Sequence, residues 1–243
     1  MEAKKSRDTI QSLKLGISIL DVLSKEKRAL TVNEIHEKTK ITKSNLYKYL
    51  NTLLEADLIH RDEDSGVYYL GYKLLEYGLA YTENKNLISF ITPYLYKLSK
   101  KTNNSVIFAL PTTNGPIIVK MVKPNQILNI GAELGTLLPA NSSAGKIFES
   151  FASEWIIDHW KDKENSVLTT KEIDFIRKHS IAFANEPLIP EISSVAFPIT
   201  SYNKELIGII SLVGFTSSIP KNLKDPITKY LLRLQSEINS KFN

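Results

Sequence analysis

The feature that most constrains the fold is a pair of short amphipathic segments separated by a tight turn near the start of the chain. Thr31-Val32-Asn33-Glu34 has the pattern of a capping box, in which the Thr hydroxyl and the Glu carboxylate each bond a backbone amide at the start of a helix. This pattern predicts a helix that ends near Lys40. Thr42 can cap the next helix, over 43–56, whose leucines recur at three- and four-residue spacing. Two short helices joined this closely predict a helix-turn-helix.

The flanking segments predict a winged form of this unit. Apolar residues at helical spacing predict a first helix over 9–24, and strand-forming residues on either side of Asp62-Glu63-Asp64-Ser65-Gly66 predict a hairpin over 58–70. A further helix is predicted over 71–82, and a polar junction follows it. We therefore expect residues 1–83 to form a winged helix-turn-helix DNA-binding domain with a linker helix.

The basic charge of the chain is concentrated in its first fifty residues. This segment holds eleven Lys or Arg residues and six Asp or Glu residues, and the difference of five equals the formal net charge of the whole chain, +5. A basic helical segment suits a polyanion such as DNA. A solvated helical surface has the same composition, so charge alone leaves both interpretations open.

The second helix of the pair carries side chains suited to groove and phosphate contacts. Lysines neutralise phosphates and asparagines can pair with adenine in the major groove, whereas a merely solvated helix would alternate Glu and Lys. In the hairpin, Arg61 is the best candidate for a phosphate or minor-groove contact. The predicted DNA-binding residues are Thr31, Thr42, Lys43, Ser44, Asn45, Tyr47, Lys48, Asn51 and Arg61. The alternative is a helical domain that binds another protein.

Four blocks of this region resemble IclR-type transcriptional regulators. They are residues 12–23, Leu30-Thr31-Val32-Asn33-Glu34-Ile35, 42–50 and 68–76. The resemblance continues to the end of the chain, and it implies a winged helix-turn-helix that binds operator DNA. The chain departs from the family at Lys48, where Arg is usual. Lys keeps a phosphate contact but lacks the planar fork that makes a bidentate base contact.

Residues 84–243 alternate between helical and strand patterns. Strands are predicted over 105–110, 116–122, 127–130, 195–200 and 206–213. Helices are predicted over 86–101, with Pro93 marking a break or the start of a new helix, and over 169–179 and 225–241, and the segment 142–160 is predicted to be mainly helical. An antiparallel sheet with flanking helices is an α+β layout, and it resembles the GAF-like effector-binding domain of the same regulator family. The expected fold is therefore α+β: an N-terminal winged helix-turn-helix domain joined by a helix to a C-terminal GAF-like antiparallel sheet with flanking helices.

The resemblance implies a pocket for a small carboxylate- or carbonyl-bearing metabolite. Asn141-Ser142-Ser143-Ala144-Gly145 opens a predicted helix whose first amides and hydroxyls can hold an anion, and strand serines can add neutral hydrogen bonds. The predicted effector-binding residues are Asn141, Ser142, Ser143, Gly145, Glu191, Ser193, Ser194, Ser211 and Val213. The alternative is that Ser142 only caps the helix and that the strand serines are satisfied within the protein.

Three departures from the family pattern bear on the ligand. Asn141 stands in a segment that commonly has His, a usual Gly falls near Glu191, and a common second Ser falls at Val213. A Glu at the pocket mouth and a lost hydroxyl disfavour a small dicarboxylate. The sequence leaves open a larger or less acidic ligand, such as an aromatic or sugar-like molecule, the absence of any ligand, or a Glu191 that is only a solvated loop residue.

Composition and motifs exclude several other classes. The chain has no Cys and only four His, none at metal-ligand spacing, so no metal site is expected. It has no nucleophile elbow, phosphate loop or dinucleotide fingerprint, so neither catalytic residues nor a cofactor are expected. No apolar run is long enough for a membrane span and the polar start lacks a signal region, so we expect a cytoplasmic protein.

These observations predict a ligand-responsive transcriptional regulator. We expect it to bind operator DNA as a dimer or tetramer, because one winged helix rarely gives operator affinity alone. Its expected partners are double-stranded operator DNA, a small-molecule effector and further copies of the chain, with no membrane. The alternatives are a winged-helix protein-interaction module without operator specificity and a DNA-binding domain fused to an enzymatic domain.

Overall fold

The computed structural model describes residues 9–26, 28–83, 87–124, 130, 132–161 and 168–241. They fall into two compact units, which divide the chain into residues 1–86 and 87–243. The strand predicted over 127–130 lies outside the described residues except for Ile130, which belongs to no strand.

The first unit has the element order of a winged helix-turn-helix followed by a helix. Its elements are α1 (Gln11–Glu26), α2 (Val32–Thr39), α3 (Lys43–Glu55), β1 (Ile59–Arg61), β2 (Tyr68–Leu70) and α4 (Tyr72–Glu83). The two strands pair antiparallel, with Ile59 opposite Leu70 and Arg61 opposite Tyr68.

One apolar core joins the helices of this unit to its hairpin. Ile19 of α1, Ile35 of α2 and Leu46 of α3 are all fully buried in it. Burial of each such side chain contributes about 1.5–3 kcal/mol relative to exposure. Two backbone hydrogen bonds between Leu30 and Tyr68, of 3.1 and 2.8 Å, fix the hairpin to the segment before α2. The wing is therefore held in place by both packing and backbone pairing.

The predicted capping box at the start of α2 is present. The Glu34 amide donates to Thr31 Oγ1 at 3.3 Å, and the Thr31 amide donates to Glu34 Oε2 at 2.8 Å. The helix ends at Lys40, whose φ of 59° lies in the left-handed region. His36 Nδ1 lies 2.6 Å from the Ile41 carbonyl oxygen, so this ring nitrogen donates across the turn. These bonds fix the direction in which α3 leaves the turn.

Thr42 occupies the N-cap position of α3, but its side chain makes no capping hydrogen bond, so the side-chain cap predicted there is wrong. Its carbonyl oxygen accepts the Leu46 amide at 2.8 Å, as the first bond of the helix. α3 therefore depends on its buried leucines more than on a side-chain cap.

The second unit is an antiparallel sheet with helices on both faces. Its elements are α5 (Leu87–Thr102), β3 (Ser105–Thr112), β4 (Gly115–Val122), α6 (Ser143–Phe151), α7 (Glu154–Lys161), α8 (Thr170–His179), β5 (Ala182–Ala184), β6 (Ile192–Thr200), β7 (Leu206–Phe215) and α9 (Pro226–Asn239). The described strands of this unit pair in the order β4-β3-β7-β6-β5. The predicted α+β fold class is confirmed.

Three elements of this unit differ from the sequence prediction. Pro93 lies inside an uninterrupted α5 rather than at a break, and the buried Ile91 and Leu95 on either side of it hold the helix in the core. The segment predicted to be mainly helical, over 142–160, contains two helices, α6 and α7, which separate at residues 152–153. β5 is not predicted, because three residues at a sheet edge carry too short a pattern.

The two faces of the sheet carry separate apolar clusters. On one face, α5 and α9 cover side chains such as Phe108. On the other face, α6 packs its Phe148 in a cluster with Ala109 and Ile209. Side chains of a strand alternate between the faces, so Ile107 of β3 points to the same side as α6. The start of α6 is thereby placed over the sheet.

The capping box of α2 predicts a pH-dependent stability. The backbone hydrogen bond from Thr31, and side-chain bonds from Arg28 and Thr31, lower the pKa of Glu34 from its ordinary 4.5 to about 2. A carboxyl group with a lowered pKa stabilises the fold above its unfolded pKa, and this stabilisation is lost as the pH falls through the folded pKa. We expect Glu34→Gln to melt below the natural chain at neutral pH, by a difference that shrinks between pH 4.5 and about 2.

Scanning calorimetry of both proteins across this pH range measures the difference. Glu172→Gln is the matched variant, because Glu172 forms a capping box with Thr169 at the start of α8 and its pKa is lowered by the same kind of bonds. A melting-temperature difference for Glu34→Gln that stays constant down to about pH 2 contradicts this role.

Candidate DNA-binding helix and candidate ligand pocket

α3 presents one polar face to solvent. Its Leu46, Leu50 and Leu53 are buried in the core of the first unit. The predicted DNA-contacting residues of this helix are all exposed, and they are Lys43, Ser44, Asn45, Tyr47, Lys48 and Asn51. No Asp or Glu precedes Glu55 in the helix, so its exposed face is basic and neutral along most of its length.

Two acidic side chains of the first unit, one in α1 and one in α2, are paired with cations outside α3. Glu26 Oε1 lies 2.7 Å from Lys38 Nζ, and Glu34 Oε1 lies 2.8 Å from an Arg28 guanidinium nitrogen. Within the described residues no ion pair involves Lys43 or Lys48. The charges of the two α3 lysines therefore face solvent rather than a protein carboxylate.

The hairpin carries a cation at the end of β1, directly beside an acidic tip. Arg61 is exposed, and its guanidinium carbon lies 5.8 Å from the centre of the Tyr68 ring, within range of a cation–π contact. At the tip, Asp62 Oδ1 accepts the Ser65 amide at 2.8 Å, and hydrogen bonds from Ser65 lower the pKa of Asp62. The lowered pKa of Asp62 keeps the tip anionic, and Arg61 is the cation beside it.

Thr31 and Thr42 lie at the exposed starts of α2 and α3. The Thr31 hydroxyl donates to Glu34 Oε2 at 2.9 Å as part of the capping box. A DNA contact by Thr31 would have to share this hydroxyl with the cap, whereas the side chain of Thr42 makes no capping bond.

The second unit contains a cavity of about 150 Å³ beside the start of α6. Ile107 of β3, Ile192 of β6 and Val213 of β7 form its floor, and Ala144 of α6 and the segment 187–189 form its sides. Of the residues predicted to bind an effector, five line it: Ser142, Ser193, Ser194, Ser211 and Val213.

Ser143 lies outside the cavity lining and joins the serines of the sheet. Its fully buried hydroxyl donates to Ser194 Oγ at 2.8 Å and lies 3.1 Å from Ser211 Oγ. We call Ser143, Ser194 and Ser211 the serine cluster. It links the first turn of α6 to β6 and β7, so Ser143 positions two lining residues.

Asn141 and Gly145 are also placed outside the cavity lining. Asn141 Nδ2 donates to the Pro187 carbonyl oxygen at 2.7 Å, which ties the 187–189 segment to the loop before α6. The Gly145 amide donates to Ser142 Oγ at 3.0 Å, so Ser142 caps α6 and this amide is not available to an anion. A Cβ at Gly145 would overlap the carbonyl oxygens of Pro139 and Ala140, so close packing accounts for this glycine.

Glu191 is exposed and absent from the cavity lining. Its φ of 64° lies in the left-handed region, and its carbonyl oxygen accepts the Thr216 amide at 2.7 Å. The alternative of a solvated loop residue fits this position. The sequence analysis missed the apolar lining, although strand alternation along β3 marks Ile107 as facing away from the cluster that contains Phe108.

Among the residues that the structure describes, no group of His, Cys, Asp or Glu is arranged to hold a metal ion. None of the helices in the described ranges is long and apolar enough to cross a membrane.

Two family models match the chain. The model of the IclR helix-turn-helix domain matches residues 12–63, and the model of the C-terminal part of the bacterial transcriptional regulator IclR matches residues 79–239. The HTH-type transcriptional repressor AllR of Escherichia coli K12 is 27% identical over 137 residues, which cover 56% of this chain and 51% of AllR. The matched region thus spans about half the length of the curated relatives.

Solved structures share the fold over nearly the whole chain. IclR of Thermotoga maritima is 25% identical with a TM-score of 0.66, and the match covers 96% of this chain and 99% of that one. HmgR of Pseudomonas aeruginosa is 19% identical with a TM-score of 0.75, covering 96% and 100% of the two chains. An IclR homologue of Microbacterium hydrocarbonoxydans, complexed with 4-hydroxybenzoate, is 16% identical with a TM-score of 0.77, covering 96% and 99%.

The packing role of Gly145 predicts a destabilising substitution. In Gly145→Ala the added methyl group meets backbone oxygens that cannot rotate away, so we expect the free energy of unfolding to fall by about 1–3 kcal/mol. Urea unfolding followed by tryptophan fluorescence measures this, since Trp155 and Trp160 both belong to the second unit.

Gly16→Ala is the matched control for this substitution. A Cβ at Gly16 in α1 would meet nothing within 4 Å, so alanine should leave stability unchanged or raise it by up to about 1 kcal/mol, as measured by circular dichroism. An unfolding free energy of Gly145→Ala equal to that of the natural chain would rule out the packing role.

Proposed function

Because the chain belongs to the IclR family of bacterial transcriptional regulators, we propose that it binds operator DNA through α3 and the hairpin, and that a small molecule in the cavity beside α6 controls this binding. The observation that carries the proposal is the exposed face of α3, which has two lysines without an ion pair among the described residues and lacks acidic residues before Glu55. A helix of this kind, fixed from behind by buried leucines, suits the major groove of DNA.

We assign the first turn of α3 to base contacts and its lysines to phosphates. Residues near the start of a recognition helix reach base edges in the major groove, which gives that role to Ser44 and Asn45. Lys43 and Lys48 neutralise phosphates on either side of the groove, and Arg61 does so from the hairpin. The acidic tip of the hairpin stays out of the minor groove.

We propose that two or four copies of the chain bind DNA together. Ile10, just before α1, and Leu13 and Ile17, within it, are 68%, 60% and 47% exposed, and they recur at three- and four-residue spacing. This apolar stripe suits contact with a second copy. One winged helix buries only about 600–1,000 Å² on DNA, and a two-fold dimer doubles the contact and reads two half-sites.

Control by a small molecule is proposed from the cavity of the second unit. A ligand changes DNA binding only to the extent that its affinity differs between the DNA-binding and non-binding conformations. The Escherichia coli relative AllR is a repressor, and we propose repression as the mode of action here. The match of residues 79–239 to a family of transcriptional regulators argues against the alternative that the second domain is an enzyme.

Fluorescence anisotropy of the full chain on labelled DNA from upstream of its own gene tests the proposal. We expect tight binding that weakens with salt and survives unlabelled random duplex. Binding that random duplex removes completely would favour a module without operator specificity. Absence of binding at low salt would exclude the DNA-binding function.

The phosphate role of Lys48 predicts a change in salt dependence. In Lys48→Ala each bound copy neutralises one fewer phosphate, so the slope of log affinity against log salt should become less negative by about 0.9 per DNA-bound copy, or about 1.8 for a dimer, at specific and random duplexes alike. Lys25→Ala removes an exposed lysine from α1, outside α3 and the hairpin, and should leave the slope unchanged. Equal slopes for the natural chain and Lys48→Ala would remove this residue from the interface.

A further inference from the structure

The lining of the cavity beside α6 carries no charge. Its described side chains are either apolar, as at Ile107, Leu138 and Val213, or bear a neutral hydroxyl. Residues 125–131, which include the lining residue Ile130, contain no Asp, Glu, Lys, Arg or His. No cation of the described lining is therefore placed to neutralise a bound carboxylate.

Most hydroxyl protons around the cavity are already used within the protein. The Ser142 hydroxyl donates to the Pro139 carbonyl oxygen at 2.7 Å. The Ser193 hydroxyl lies 2.7 Å from Thr216 Oγ1, and it also accepts the Glu186 amide. The Gly145 amide is bound to Ser142, so the start of α6 has fewer free hydrogen-bond donors for an anion than its sequence predicts.

The serine cluster leaves one proton for a ligand. Each hydroxyl has a single proton, and Ser143 donates its own to Ser194 Oγ. Ser211 must then be the donor in its contact with Ser143, which leaves the Ser194 proton without an acceptor among the described residues. Ser194 lines the cavity, so this proton can meet a ligand oxygen. Ser105, which pairs with Val213 in the sheet but lies outside the cavity lining, has a neutral hydroxyl that is buried and has no hydrogen-bond partner in the described structure.

The mouth of the cavity continues its apolar character. Leu188 and Ile189 line it and are 63% and 60% exposed. The bond from Asn141 to the Pro187 carbonyl oxygen holds this lip beside α6. An apolar cavity of about 150 Å³ holds a single six-membered ring, and the lip gives such a ring further apolar contact.

We propose that this cavity binds an uncharged ligand with an apolar, ring-sized body and one acceptor oxygen that takes a hydrogen bond from Ser194, and that it discriminates against carboxylates. This inference rests on the proposed function of the second unit as a ligand sensor. Its physical basis is that a carboxylate loses its hydration on entering the cavity and finds no cation to replace it, whereas an amide or ketone loses far less.

The test uses two pairs of probes that differ in charge but hardly in shape: benzamide with benzoate, and cyclohexanecarboxamide with cyclohexanecarboxylate. Saturation-transfer NMR on the full chain at neutral pH gives the dissociation constant of each. We expect at least one amide to bind at least tenfold more tightly than its carboxylate. Preference for the carboxylate in both pairs, equal binding within both pairs, or failure of both amides to bind overturns the proposal.

Three variants locate the bound probe. Val213→Trp fills the cavity and should abolish binding of the amide, whereas Phe215→Trp, at an exposed site on the same strand, should retain it. Ser194→Ala should weaken binding of the amide about tenfold. It should leave binding of toluene unchanged, because toluene has no acceptor oxygen. Equal losses for amide and toluene would overturn the role of Ser194 as donor.

Anisotropy on the operator DNA with the same preparations separates the two proposals. Val213→Trp whose second unit unfolds in urea with the same cooperative transition as that of the natural chain is folded around the cavity, so its loss of amide binding reports on the cavity. If the natural chain binds DNA but prefers the carboxylate probes, the inference about the ligand is wrong and the proposed regulator function still holds. If the natural chain binds the amides but does not bind DNA, the proposed regulator function is wrong and the inference about the ligand still holds.

Discussion

The close approach of the first turn of α6 to the sheet is the constraint on which the second unit depends. The serine cluster fastens the turn to β6 and β7, and the loop at residues 139–140 folds back on the turn so closely that Gly145 must lack a side chain. With the helix fixed there, the sheet and the 187–189 segment enclose a cavity rather than closing over it. The contacts that build the pocket are thus the same ones that use up most of its polar groups.

The parts of the fold that depend on neighbours in sequence could be predicted, and the parts that depend on distant segments could not. The capping box at Thr31 and the leucine spacing of α3 act within one or two turns, and they sufficed to place the helix-turn-helix. Pro93 shows the limit of such local rules, because burial on both sides of it keeps α5 continuous. The cavity brings together β3, β6, β7 and the start of α6, and no local pattern records which of their residues meet.

The site residues that depend on local sequence could be predicted, and those that depend on distant segments could not. The exposed residues of α3 follow from which positions the leucines occupy, so helical geometry alone places Lys43 and Lys48 on one accessible face. The serines in and around α6 look alike in sequence, yet each has a different role. Ser142 caps α6, Ser143 binds the serines of the sheet, and Ser194 lines the cavity. A hydroxyl shows its role only through its hydrogen-bond partner, and those partners lie about fifty residues or more away in the chain for the serine cluster.

The exposed lip of Leu188 and Ile189 has a thermodynamic consequence for any sensor built on this cavity. A ligand that covers these side chains removes apolar surface from water, and such burial has a negative heat-capacity change. The enthalpy of binding therefore becomes more favourable on warming while the entropy becomes less so, and affinity passes through a maximum at an intermediate temperature. The extent of regulation through this cavity would then depend on temperature as well as on ligand concentration.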